Sequence, residues 1–211
     1  MKKLPDEGKI GNIFSKVIDL LLAGILWLVC SLPLVTIGAS SSALYYVVVK
    51  CVRHDRGHVL RSFFSAFKSN FVASVKVWLI YIAYILLLGF EVYGVGRLGL
   101  SFSLIYRMAV RLMLIPLLLP LPWLFAYISR FEAPFSTVVR YSMYLSVRNW
   151  WRTLLLLLIP GAVLFLCLLL PGLVPVLPGI CCLAMSYVIE PVLKSLSEDS
   201  DDSNEDQWYN E

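Results

Sequence analysis

The sequence predicts an all-α, polytopic membrane helix bundle of five to six hydrophobic helices. Three observations predict it. Of 211 residues, 59% are hydrophobic and only 15% charged, more apolar surface than a soluble domain of this size can bury. Several runs are nearly free of charge over the length a helix needs to cross a hydrocarbon core, about 20 residues. The charges themselves are segregated: residues 1–197 hold all 18 Lys and Arg with seven acids, and residues 198–211 hold seven acids and no base.

The N-terminus carries Lys2, Lys3, Lys9 and Lys16 ahead of an apolar run, which superficially resembles a signal peptide. The run from Leu20 is longer than an ordinary signal core and contains Trp27, so it is read as a retained membrane segment. Residues 17–38 taken as one crossing give five spans and divide the bases 11 against seven. A turn at Ser31-Leu32-Pro33, with the chain returning to Val49, gives 15 against three, with only Arg97, Arg107 and Arg111 outside. The stronger bias favours a helical hairpin or re-entrant pair at 17–50, with both termini cytoplasmic. Sixteen residues reach only about 24 Å, so deep entry without a full crossing stays open.

Pro33 cannot donate a backbone hydrogen bond and disfavours helix at Leu32. Ser40, Ser41 or Ser42 is expected to cap the returning helix, placing a backbone break at Thr36–Ser42. Gly38, Ala39 and Ala43 would let a neighbour approach closely. Ser31, Pro33, Thr36, Gly38, Ser40 and Tyr45 therefore form a candidate functional or packing motif. Further spans are expected near 72–94, 108–128, 153–170 and 173–192, and Pro116, Pro120, Pro122, Pro160, Pro171, Pro175 and Pro178 should bend or bound them.

Two connectors look amphipathic and cytoplasmic, at 61–71 and 135–151, where aromatics alternate with bases as they do at headgroup level. Phe63, Phe67, Asn70, Arg148, Asn149 and Trp150 are the candidate partner-contact surface. The membrane domain then covers residues 1–195, and residues 196–211 form an acidic, disordered tail.

Motifs that carry chemistry are weak. Gly94-Val95-Gly96-Arg97-Leu98-Gly99 matches a dinucleotide-binding pattern but follows a membrane span instead of a strand. His54 and His58 have metal-binding spacing without a third ligand, and the five cysteines form no CxxC pair. Glu91 and Arg111 are the candidate buried charges, whereas Lys76 and Glu190 are placed where side chains can snorkel to the interface. No catalytic constellation, cofactor motif, metal site or nucleic-acid motif is expected.

Residues Leu26-Trp27-Leu28-Val29-Cys30-Ser31-Leu32-Pro33-Leu34-Val35-Thr36-Ile37-Gly38-Ala39-Ser40, continuing to Ala43-Leu44-Tyr45-Tyr46, resemble the YesL-like family of bacterial membrane proteins. The resemblance extends through Phe63–Phe71, Arg130-Phe131-Glu132 and Arg148-Asn149, covering most of residues 10–170. It departs at Ala126-Tyr127-Ile128, where a proline-containing phrase is expected. The family has no established biochemical activity. Its members tend to be encoded beside sugar transporters and polysaccharide-degrading enzymes, which implies a bacterial plasma-membrane protein accessory to oligosaccharide uptake. The expected partners are the lipid bilayer, subunits of a sugar ABC transporter and a second copy of the chain. The alternatives are an independent permease or channel and an intramembrane enzyme.

Overall fold

The computed structural model describes residues 5–90, 118–131 and 134–198, together with Met108 and Leu112. Among the described residues the chain forms seven α-helices and no strand: α1 Pro5–Cys30, α2 Ile37–Val47, α3 Val59–Gly89, α4 Leu121–Arg130, α5 Phe135–Arg148, α6 Trp150–Leu169 and α7 Leu177–Glu198. A 3₁₀ turn, Leu34–Thr36, precedes α2, and a π-helical segment, Val48–Arg53, continues it. Among the described residues four stretches are long and apolar enough to cross a membrane: Leu34–Arg53, Val59–Leu87, Trp150–Leu169 and Leu177–Ser195.

The expected turn after α1 is present, but the break is displaced. Helix α2 begins at Ile37, so Thr36–Ser42 is not the interruption. The interruption is residues 31–36, and the reason lies in where the hydroxyls point. Thr36 Oγ1 donates backward to the Cys30 carbonyl (2.6 Å) or the Pro33 carbonyl (2.8 Å), so the threonine serves the end of α1. Ser40 and Ser42 do not cap; they lie inside α2 and donate to the carbonyls of Thr36 and Ala39.

Helix α2 is the centre of the bundle. Gly38, Ala39, Ser40, Ser42, Ala43, Leu44, Tyr45 and Val47 are buried, and the π segment buries Val48 through Val52. Its small residues set the spacing to α3, which runs antiparallel to it. A Cβ at Gly38 would stand 2.8 Å from the Ser74 carbonyl and 2.8 Å from Trp78 Cβ. Ser42 and Ser74 share a buried hydroxyl hydrogen bond of 3.0 Å, satisfying two polar groups on an otherwise apolar seam. Helix α1 covers another side with Leu20, Ala23 and Gly24, while Val17, Ile18, Leu21, Ile25 and Val29 face outward.

The connector expected at 61–71 and the span expected from 72 are one continuous helix, the 31-residue α3. The hairpin tip lies beside Trp78, whose indole N–H donates to the Leu34 carbonyl at 2.6 Å. Past Trp78, α3 continues through Leu79–Gly89, a stretch without a charged residue and about 16 Å long at 1.5 Å per residue. The hairpin thus ends well short of α3. Only the final part of the span expected at 108–128 is described, as α4; the loop carrying the glycine motif and the tail 199–211 lie outside the described residues.

Helices α4, α5 and α6 lock together around the fully buried Trp123. Its indole N–H donates to Thr153 Oγ1 at 3.0 Å, and Thr153 in turn donates to the Ser146 carbonyl at 3.0 Å or the Asn149 carbonyl at 3.1 Å. Leu145, Leu156 and Val138 complete that contact.

Candidate functional site

One end of the bundle collects the ends of the π segment, α4 and α7 together with α5 and the start of α6; we term it the basic end. The sequence explains the name, since Lys50, Arg53, Arg56, Arg130, Arg140, Arg148, Arg152 and Lys194 all lie there. Its buried part is organised around one carboxylate. Tyr45 of α2 donates its hydroxyl to Glu190 Oε1 at 2.9 Å, and Arg130 at the end of α4 meets Glu190 Oε2 at 3.2 Å. The Arg130 side chain is 2% exposed and that of Glu190 13%, so this is an ion pair inside the bundle. The Arg130 guanidinium also lies 5.5 Å from the Phe131 ring centroid.

Two further cations are held at this end, Arg53 against α7 and Lys50 against its own segment. Arg53 turns back to donate to the Ser186 carbonyl at 3.1 Å, one helical turn before Glu190, and lies 4.9 Å from the Tyr187 ring centroid. Lys50, although buried, donates to the Tyr46 hydroxyl at 2.9 Å. At the rim, His54 is held below the ordinary histidine range by burial, with the neighbouring Arg53 adding to the effect. Chemically, this cluster cross-links α2, α4 and α7 and fixes the central helix against rotation. A buried charge satisfied on both oxygens is a pin more than a reagent.

Beside the ion pair lies a cavity of about 510 Å³, bounded by α1, α2, α3, α4, α6 and α7. Trp27, Trp78, Phe125, Leu156 and Met185 are among its walls, and Tyr45 stands at its basic end. The polar side chains on the walls are engaged: the Trp27 indole donates to Ser41 Oγ at 3.2 Å, and Tyr45 donates to Glu190.

The structure separates the residues of the expected N-terminal motif. Ser31, Pro33 and Thr36 make the hairpin tip, Gly38 and Ser40 pack in the middle of the bundle, and Tyr45 belongs to the ion-pair network. Glu91 and Arg111 lie outside the described residues. Glu190, expected to snorkel, is instead held by Tyr45 and Arg130, because α7 continues to Glu198 and keeps that position inside the bundle. Arg130 stood out in the sequence through the Arg130-Phe131-Glu132 phrase of the resemblance, but nothing there paired it with Glu190.

The aromatic partner surface is also redistributed. Phe63 has no exposed surface and belongs to the core, since the helix continues through it and presents that face to α2; it is not available to a partner. Phe67 stacks on Phe63 with centroids 6.2 Å apart and is half-buried, as is Asn70. Asn149 is half-buried, with its side chain donating to the Leu145 carbonyl. Arg148 and Trp150 are exposed, the latter at 65%.

No curated protein and no solved structure matches the chain. Residues 20–92 match a family described as protein of unknown function, DUF624, a stretch that takes in the apolar part of α1, the hairpin tip, α2 and all of α3.

Proposed function

We propose that the protein is a multi-pass component of the bacterial plasma membrane, without catalytic activity of its own, that works by association as an accessory of oligosaccharide ABC transport. The observation that carries association is the outer face of α5 and the start of α6. Tyr141, Tyr144, Val147, Arg148, Trp150 and Trp151 are exposed there, while Val138, Ser142, Leu145 and Ser146 on the other face of α5 are buried. The aromatic-basic face is therefore mounted on a packed helix and, although Tyr141 also stacks on Tyr127, is largely exposed, a composition suited to a protein partner's surface. The transporter as partner rests on the resemblance to the YesL-like family. The basic end is read as cytoplasmic from its excess of Lys and Arg.

In this reading the hairpin α1–α2 is re-entrant. Its support is a tip whose exposed side chains, Leu32, Leu34 and Val35, are apolar, and whose Leu34 carbonyl and Thr36 hydroxyl find partners inside the protein, as hydrocarbon demands. An independent permease is less favoured: the hydroxyls of Thr36, Ser40 and Ser42 are engaged by local carbonyls and Ser74, and so do not line a polar path.

The test is affinity capture of the tagged chain in mild detergent from cells grown on polysaccharide, comparing wild type with Tyr144→Ala combined with Arg148→Glu. Enrichment of transporter permease or ATPase subunits by the wild type, lost in the double variant, is the expected result. Recovery of the chain alone, or with the same subunits in both cases, would refute the reading.

A further inference from the structure

The cavity is a larger feature than packing between helices requires. Prolines stand around it on three helices, Pro122 on α4, Pro160 within α6 and Pro178 on α7. Pro160, inside α6, removes a ladder donor and interrupts the ridge facing the cavity, whereas Pro122 and Pro178 stand in the first turns of α4 and α7, where a proline is accommodated. The cavity walls run from Leu156 to Cys167 on α6 and from Pro178 to Ile189 on α7, about 16 Å along each axis.

The chemistry of the walls selects the occupant. About 510 Å³ is within the range of ligand pockets, roughly 300–1,000 Å³. Among the described residues no charged side chain lines it. Ser41 and the Trp27 N–H are engaged with each other, and the Tyr45 hydroxyl with Glu190, which leaves a sugar or other polyhydroxylated solute without wall partners. One wall is α6, on which Leu158, Phe165 and Leu168 are exposed and apolar, so its outer side faces hydrocarbon where the chain spans the bilayer. At the basic end the lining residues Tyr45, Leu156 and Ile189 are buried, beside the Glu190–Arg130 pair.

We infer that the cavity between α1, α4, α6 and α7 binds one acyl chain of a bilayer phospholipid, with the chain end directed toward Tyr45. A single linear chain matches an apolar cavity whose walls extend about 16 Å along α6 and α7 and end at the buried residues Tyr45, Leu156 and Ile189. The occupant would tie α6, otherwise largely exposed, to α1 and α4.

The test uses the full chain reconstituted in vesicles of palmitoyl-oleoyl phosphatidylethanolamine and phosphatidylglycerol, then released into mild detergent for native mass spectrometry. The expected result is one phospholipid retained per chain. Val163→Trp, and independently Met185→Trp, fill the cavity from α6 and α7 and should lower occupancy about tenfold, equivalent to about 1.4 kcal/mol. Leu168→Trp adds the same bulk at a position 78% exposed on α6 and outside the cavity, and should leave occupancy unchanged. Melting curves identify any variant that fails to fold, and either cavity variant suffices. Wild type retaining no lipid, folded cavity variants retaining as much as wild type, or loss of lipid equally in Leu168→Trp would overturn the inference.

Discussion

Replacing Glu190 with leucine tests whether the buried ion pair holds the basic end together. The substitution leaves the Arg130 guanidinium, 2% exposed, without its counter-charge at 3.2 Å, and leaves the Tyr45 hydroxyl without its acceptor at 2.9 Å. At an effective dielectric constant near 20, the Coulomb attraction at this separation is about 5 kcal/mol. Breaking buried pairs by removing one partner costs about 3–5 kcal/mol, because the remaining charge stays desolvated. For a chain of this size each kcal/mol moves the melting temperature by about 2–4 °C, so Glu190→Leu should melt roughly 10 °C below wild type. The assay is thermal unfolding in one detergent, followed by tryptophan fluorescence. Arg130→Met combined with Glu190→Leu removes both charges and should recover most of the loss, giving a coupling of at least about 2 kcal/mol. Added salt should change the deficit little, since buried charges are weakly screened. A drop below about 1 kcal/mol for the single variant, or strict additivity in the cycle, would refute the argument that the pair is a buried pin.

Gly24→Leu should prevent α1 from seating, because even a Cβ there would overlap the Pro175 carbonyl; loss of folded monomer in gel filtration reads this out, and Gly89→Leu, with open space around it, should be tolerated. Thr153→Val removes the acceptor of the buried Trp123 N–H and should cost about 1–3 kcal/mol, seen as a lower melting temperature with a shifted emission maximum. Trp78→Phe deletes the donor to the Leu34 carbonyl and should raise amide exchange at residues 31–36 while sparing α6. His54 titrates lower in the folded protein than in the unfolded chain, so its contribution to stability is complete above the ordinary value near 6.5 and is lost as pH falls through that value and below. His54→Gln should therefore flatten the acid side of a melting-temperature profile, and an unchanged profile would count against the assignment.

Helix content and the positions of α6 and α7 were legible because they depend on length and apolarity, quantities a sequence displays directly. The turn after α1 was legible from Pro33, but its position was misjudged. A hydroxyl can serve the carbonyls behind it as readily as the N–H groups ahead, and Thr36 takes the first option. Phe63, Phe67 and Phe71 recur at helical spacing on either reading, so periodicity alone cannot say whether their face meets a partner or α2. The ion pair joins positions 60 residues apart, and its tyrosine lies 145 residues from the glutamate. No local pattern announces such a contact; Glu190 and Arg130 each read as a lone charge near a helix end.

The same separation governs how the chain is assembled. Helix α2 is apolar and buried on nearly every side, yet the carboxylate that receives Tyr45 is synthesised 145 residues later. During translation α2 can pair at once with α3, through Gly38, Ser42 and Ser74, while its sides facing α4 and α7 must wait in lipid or against an insertase. The N-terminal half is thus a partly finished product that the last helix completes. A ribosome stalled before α7 would leave Arg130 without the Glu190 carboxylate and Tyr45 without its acceptor. Synthesis of residues 177–198 is the step at which the bundle becomes committed.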